Sequence, residues 1–227
     1  MPGKKPKELI YHYSKWLARL ILRVLYGCRY IGRENIPEGC PLIIASNHCS
    51  YCDPMSVGAG VPRPIHFMAK KDLFKNPFFG GFISFYHAVP IRRGGMDWRG
   101  IEVLKKILSD NGALIMFPQG TRRPDGASLG KAKFGVGMFA QETGATIVPV
   151  FMLGTGQLTA AFLRRRPMRV YFGEPICPGD YAHIDKGPRG QLQIAEMVME
   201  RIAELARNNH PDEFPPDISP KIDSKEA

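Results

Sequence analysis

Two side chains in the first quarter of the chain have the types and spacing for proton transfer. His48 and Asp53 stand five positions apart in Ser46-Asn47-His48-Cys49-Ser50-Tyr51-Cys52-Asp53-Pro54. A histidine acting as a base needs one ring nitrogen open to substrate and the other held by an acceptor. On a continuous helix a five-residue step would separate the two side chains. The flanking residues place most of that step in a turn instead. Pro41-Leu42-Ile43-Ile44-Ala45 is short, apolar and β-branched, as a buried strand is. Asp53-Pro54 reads as an N-cap followed by proline at the first helical position. The imidazole and the carboxylate can therefore meet across a strand-to-helix turn.

Three further blocks follow in order: Val89-Pro90-Ile91-Arg92-Arg93, then Phe117-Pro118-Gln119-Gly120-Thr121-Arg122, then Ile147-Val148-Pro149-Val150. The second leaves a strand through a glycine turn into a loop holding Arg122 and Arg123, and exposed N–H groups beside a guanidinium make a phosphate cradle. With Asn47-His48 to Asp53, these blocks resemble the glycerolipid acyltransferases of the 1-acyl-sn-glycerol-3-phosphate acyltransferase (HxxxxD) family. The resemblance spans residues 40 to 155.

That resemblance implies an O-acyltransferase that moves a fatty acyl group from acyl-ACP or acyl-CoA to the free hydroxyl of lysophosphatidic acid, giving phosphatidic acid. The acyl carrier is a co-substrate, and no cofactor is implied. His48 would be the general base and Asp53 the group that orients it, as the third member of a triad does. Arg93 and Arg122 would hold the acceptor's phosphate. Gln119, Gly120, Thr121 and Lys133 would complete the substrate-binding set. The alternatives are a structural histidine, a plain helix cap, and solvated surface charges, the last weighing most for Arg92, Arg123 and Lys133. The family usually has Glu where this chain has Gln119. The amide keeps an acceptor and loses the charge, which matters if the carboxylate acts by charge and little if it holds the turn.

No GxSxG elbow supports a serine nucleophile, and direct attack by the acceptor hydroxyl needs no acylated Cys49 or Cys52. Cys49-x-x-Cys52 lacks the second ligand pair of a zinc site, so no metal is expected. The five cysteines show no disulfide-like spacing and no signal peptide is evident, which predicts a reducing, cytosol-facing location.

These side chains need a frame. At 227 residues, 44% hydrophobic and 23% charged, the chain fits one globular domain with an appended element. Short apolar runs alternate with helical periods: candidate strands at 65–69, 113–117, 146–151 and 168–172, and helices at 98–109, 134–142 and 191–208. This predicts an α/β domain with a largely parallel central sheet flanked by helices, its sites at the C-terminal strand ends. The divisions expected are a basic amphipathic helical segment at 1–36, the acyltransferase domain at 37–209, and a loosely packed, proline-rich acidic tail at 210–227.

The formal net charge of +10 favours an anionic partner, and residues 1–35 hold eight Lys or Arg against Glu8 and Glu34. The helical period over 9–26 sets Lys15, Arg19 and Arg23 on one stripe opposite a Trp/Leu/Ile face. Charges interrupt it too often for a spanning helix. With Lys4, Lys5 and Lys7 ahead of it, it fits a helix lying in the headgroups of an anionic phospholipid bilayer, peripheral or monotopic on the cytoplasmic face. The alternative is a helix packed on its own domain. The aromatic tract 74–85 reads equally as an acyl groove, a membrane contact or core. A different acceptor, another lysophospholipid or an acylated amino-acid lipid, is the second functional reading. A non-catalytic lipid- or nucleic-acid-binding protein is the third. Nucleic acid is not expected, because the basic residues are not interleaved with aromatics.

Overall fold

The computed structural model describes residues 6–92, 97–123, 129–163 and 165–214. In chain order the elements are α1 (Pro6–Tyr26), β1 (Arg29–Ile31), β2 (Leu42–Ser46), α2 (Asp53–Gly60), β3 (His66–Lys70), α3 (Pro77–Phe85), β4 (Ala88–Ile91), α4 (Trp98–Ser109), β5 (Ala113–Met116), α5 (Gly135–Thr143), β6 (Thr146–Leu153), α6 (Leu158–Phe162), β7 (Arg169–Phe172), α7 (Pro178–Tyr181) and α8 (Pro188–Asn209).

One seven-stranded sheet runs β1-β7-β6-β2-β5-β3-β4. From β6 to β4 every neighbour is parallel, with Ile43 opposite Ile147 on one side and Leu114 on the other. β7 runs antiparallel to β6, and β1 is parallel to β7, so the last two strands at that end form a reversed pair. The largely parallel α/β sheet is as expected. β2 and β6 are buried at every residue because helices cover both faces. Ile43, Ile147 and Phe151 face a core completed by Leu104 and Leu108 of α4, Phe139 of α5, and Val198 and Ile202 of α8. Ile44, Val148 and Val150 face the opposite core with Val57 of α2 and Met168.

Local chemistry sets the helix starts. Asn76 accepts from the N–H groups of Phe78 and Phe79, both at 3.0 Å, with Pro77 at the first turn of α3. Asp97 accepts from Gly100 N–H at α4. Asp53 is not the cap of α2 but its first residue, with Cys52 at the cap. That one-residue difference leaves the carboxylate available to the turn before it.

Three expectations change. Residues 29–31, assigned to the N-terminal segment, are an edge strand of the sheet. Lys15 does not lie on an outward basic stripe. It is buried against the domain, where its ammonium donates to the carbonyls of Val61 and Arg63 at 2.7 and 3.0 Å and so closes the C-terminal end of α2. Burial, with Arg19 and Arg33 adding, brings it from 10.5 down to about 7. The acidic tail begins in contact rather than loosely: Phe214 is buried edge-on to Phe151 at 5.1 Å, and Tyr171 and His210 join at 3.0 Å. The side chains of Lys4, Lys5 and Lys7 and residues 215–227 lie outside the described residues.

Candidate active site

The site forms where β2 and β5 end side by side. Asn47 fixes the end of β2. Its amide donates to Met152 carbonyl at 2.8 Å and accepts from Met152 N–H at 2.7 Å, extending the β2–β6 ladder by one more rung. The chain then turns through 48–52 into α2. Asp53 sits under this turn, wholly buried, and its Oδ2 accepts three hydrogen bonds: from Cys49 N–H at 2.6 Å, Ser50 N–H at 2.8 Å, and His48 Nδ1 at 2.7 Å. An oxygen that already accepts two amide protons has none of its own to give, so at this contact the ring nitrogen is the donor. Nδ1 must therefore carry the ring proton, which leaves Nε2 as the basic nitrogen. Among the described residues Nε2 has no hydrogen-bond partner, and the histidine side chain is 14% exposed. The predicted pair is present, with the imidazole partly exposed and the carboxylate buried.

The imidazole also stacks on Phe117 at a centroid distance of 3.9 Å and 16°. An aromatic face against the ring favours the imidazolium that forms when Nε2 takes a proton. Phe117 belongs to the block read from sequence, yet its spacing gave no sign of this contact.

Gln119 answers the question its amide raised. It is 4% exposed, and both ends are engaged: Oε1 accepts from His48 N–H at 2.7 Å, and Nε2 donates to Leu129 carbonyl at 2.6 Å. Arg123 N–H in turn donates to His48 carbonyl at 2.7 Å. The 117–123 loop thus holds the backbone of His48 from both sides, and Gln119, expected among the substrate-binding residues, is placed as a brace. A carboxylate there would keep the bond to His48 and turn its other oxygen toward the Leu129 carbonyl, a repulsive contact unless protonated.

Gly120 takes φ +67, and a Cβ on it would lie 2.7 Å from Lys133 Cδ. Glycine therefore serves two needs here, the left-handed turn and the passage of the Lys133 side chain over it. Lys133 N–H also bonds Pro118 carbonyl at 2.8 Å. Gly120, Thr121 and Lys133 are exposed. Arg122 lies over the Tyr51 ring at 3.4 Å, a stacking that orients the guanidinium and leaves its edge N–H groups to an anion. Tyr51 and Asn47 acquire these roles from the fold, and no spacing rule signals them. Arg93 lies outside the described residues; Arg92, its neighbour, follows the end of β4 two strands beyond β5.

Among the described residues, no group of three or more His, Cys, Asp or Glu is arranged to hold a metal ion. The site as it stands can remove a proton, stabilise the resulting imidazolium and hold an anion nearby.

Known proteins share this frame. The acyltransferase family model matches residues 27–153. The 1-acyl-sn-glycerol-3-phosphate acyltransferase of Bacillus subtilis is 30% identical over 197 residues, 86% of this chain and 96% of the relative. The Streptococcus pneumoniae protein of the same name is 31% identical over 216 residues, 92% of this chain and 78% of its own. The crystal structure of the 1-acyl-sn-glycerophosphate acyltransferase PlsC from Thermotoga maritima has the same fold, with a TM-score of 0.67 at 24% identity, covering 90% of this chain and 83% of that one.

Proposed function

The chain belongs to the acyltransferase family, and from that premise we propose that it acylates the free hydroxyl of lysophosphatidic acid, giving phosphatidic acid in phospholipid biosynthesis. The observation that carries the reading is the His48–Asp53 pair, with Nδ1 held at 2.7 Å and Nε2 without a hydrogen-bond partner among the described residues. In the proposed reaction Nε2 takes the acceptor's hydroxyl proton as the oxygen adds to the thioester carbonyl. The tetrahedral adduct collapses, the carbon–sulfur bond breaks, and the imidazolium returns its proton to the departing thiolate. Ester and free thiol leave, and the histidine is unchanged. Asp53 stabilises the imidazolium from below and Phe117 from one face. Arg122 holds the acceptor's phosphate. The relatives' names, which specify this acceptor for those proteins, support the choice.

We also place the enzyme on the cytoplasmic face of an anionic membrane. Along α1, Leu9, Ile10, Tyr13, Trp16 and Val24 are 49–63% exposed, and Phe78 of α3 is 90% exposed. Tyr11 lies 6.2 Å from Phe85, so the two helices adjoin. Large apolar side chains exposed in this number suit a lipid or partner surface, and the acceptor is itself a membrane lipid. No described helix is long and apolar enough to cross a bilayer.

The test is thiol release from acyl-CoA and acyl-ACP, with and without lysophosphatidic acid. Release that depends on this acceptor is expected, and His48→Ala should lower it by on the order of 10² to 10⁴. Release only with another acceptor would overturn the assignment of substrate. A full rate in His48→Ala would overturn the mechanism.

A further inference from the structure

The seat of α1 gathers groups that cannot all carry charge. Tyr11 is buried and stacks on the His87 imidazole at a centroid distance of 4.7 Å and 12°. His87 stacks in turn on His66 at 4.9 Å and 24°. Lys15, one turn further along α1, has its amine 5.2 Å from the Tyr11 ring. The column joins α1 to the starts of β3 and β4, at the end of the sheet opposite His48.

What faces each group is neutral or cationic. Arg19 of α1 acts on Lys15, and so does Arg33 from the 3-10 turn after β1. The segment after α2 offers that amine only the carbonyls of Val61 and Arg63. β5 gives His66 the Ala113 carbonyl at 3.3 Å, and His66 and Lys15 both act on His87. Phe85 of α3 and Tyr86 after it meet Tyr11 ring to ring at 6.2 and 6.1 Å, and the Tyr11 hydroxyl accepts from Ile65 N–H at 3.3 Å. Among the described residues no carboxylate pairs with Lys15, His66 or His87.

His87 is the least provided for. Its backbone takes φ +62, which a residue other than glycine keeps only when its surroundings hold it. Its Nδ1 is buried with no hydrogen-bond partner among the described residues. A neutral ring can leave Nδ1 bare. An imidazolium carries N–H on both nitrogens, so charging His87 would bury a donor without an acceptor, beside His66 and Lys15. Burial lowers all three groups, Lys15 to about 7 and both imidazoles below 6.5. A docked α1 therefore holds fewer protons than a released one. Its docking is firmest where the groups are neutral. The share due to Lys15 is lost as pH falls from 10.5 toward 7, and that of the imidazoles below 6.5.

We propose that Tyr11, Lys15, His66 and His87 form an acid-released latch, which seats the N-terminal half of α1 on the domain at neutral pH and pushes it off when the amine and imidazoles charge together. Release needs nothing of the acyltransferase reading, yet it reaches the site, because Lys15 closes α2 and α2 begins at Asp53.

The test is amide hydrogen exchange of the full chain, corrected for intrinsic rates, with α8 as the internal reference. From about pH 7.5 to about pH 5.5, protection of the N-terminal half of α1 should fall at least about tenfold, and that of α8 less than about twofold. In Lys15→Met/His66→Phe, which keeps a ring on His87 and leaves one imidazole, most of that fall should vanish. Histidine ring NMR of the unaltered chain gives a second readout that needs no variant. His66 and His87 should titrate over the same pH range in which the α1 amides lose protection. The latch is overturned if α1 protection is flat with pH, falls together with α8, or falls as steeply in the variant. Imidazoles that titrate with no change in α1 would overturn it as well.

Discussion

Around His48 the side chains hold one another. Asp53 is wholly buried, Gln119 is 4% exposed, and both bind backbone of the turn that carries the base. Along α1 and α3 the side chains are larger, more apolar and turned outward, from Phe85 at 37% exposed to Phe78 at 90%. On the proposed reading the contrast corresponds to two kinds of work in one small protein. A base must be fixed to a fraction of an ångström, which takes a shell of engaged hydrogen bonds. A lipid-seeking surface needs only area, and it gains energy by leaving water. Lys15 joins the two, since it lies on the inner side of α1 and closes α2, the helix whose first residue is Asp53.

If the two regions are separable, each should fail alone. The largest effect is that of His48→Ala, whose loss of on the order of 10² to 10⁴ in turnover should leave sedimentation with anionic vesicles at the unaltered level. Loss of vesicle binding in this variant would join what the comparison separates. Next comes the outer face. Leu17→Glu/Ile21→Glu should weaken vesicle binding by roughly 100-fold. Turnover of vesicle-borne acceptor should fall relative to turnover of a short-chain acceptor in solution. An unchanged ratio would return α1 to the role of an ordinary packed helix.

The smallest effect is at the joint. Lys15 is near 7 in the folded chain and 10.5 in the open one, so between those values the unfolded chain holds the extra proton. The stability its neutral amine contributes is full above about 10.5 and is lost as pH falls toward 7. His66 and His87, stacked at 4.9 Å with Tyr11 beyond them, are lowered from 6.5 by burial and add the same sign below that value. Tm should drop by a few degrees from pH 10 to 7, and Lys15→Met should flatten that slope. A slope unaltered by Lys15→Met would show that the buried amine is not its source.

The strands were legible where burial on both faces made them apolar and β-branched, as at Ile43-Ile44 and Ile147-Val148. The sheet edges were not. Arg29–Ile31 is three residues with a half-exposed pattern, and Ala88–Ile91 contains a proline, so neither carries a period that a pattern can show. His48 and Asp53 were legible because their spacing is chemical. The purpose of Gln119 was not, because it depends on which segment lies against it, and its partner Leu129 stands ten positions away. The basic stripe on α1 was read from helical geometry alone. Periodicity gives a face, and only the packed domain decides which face turns inward.

The position of one proton decides the matter, and nitrogen-15 NMR of the His48 imidazole in the full-length protein at neutral pH locates it. Nδ1 is expected to be protonated, with a shift and coupling typical of N–H, and Nε2 unprotonated, with this preference lost in Asp53→Asn. A ring protonated on Nε2, with Nδ1 bare toward the carboxylate, would contradict it.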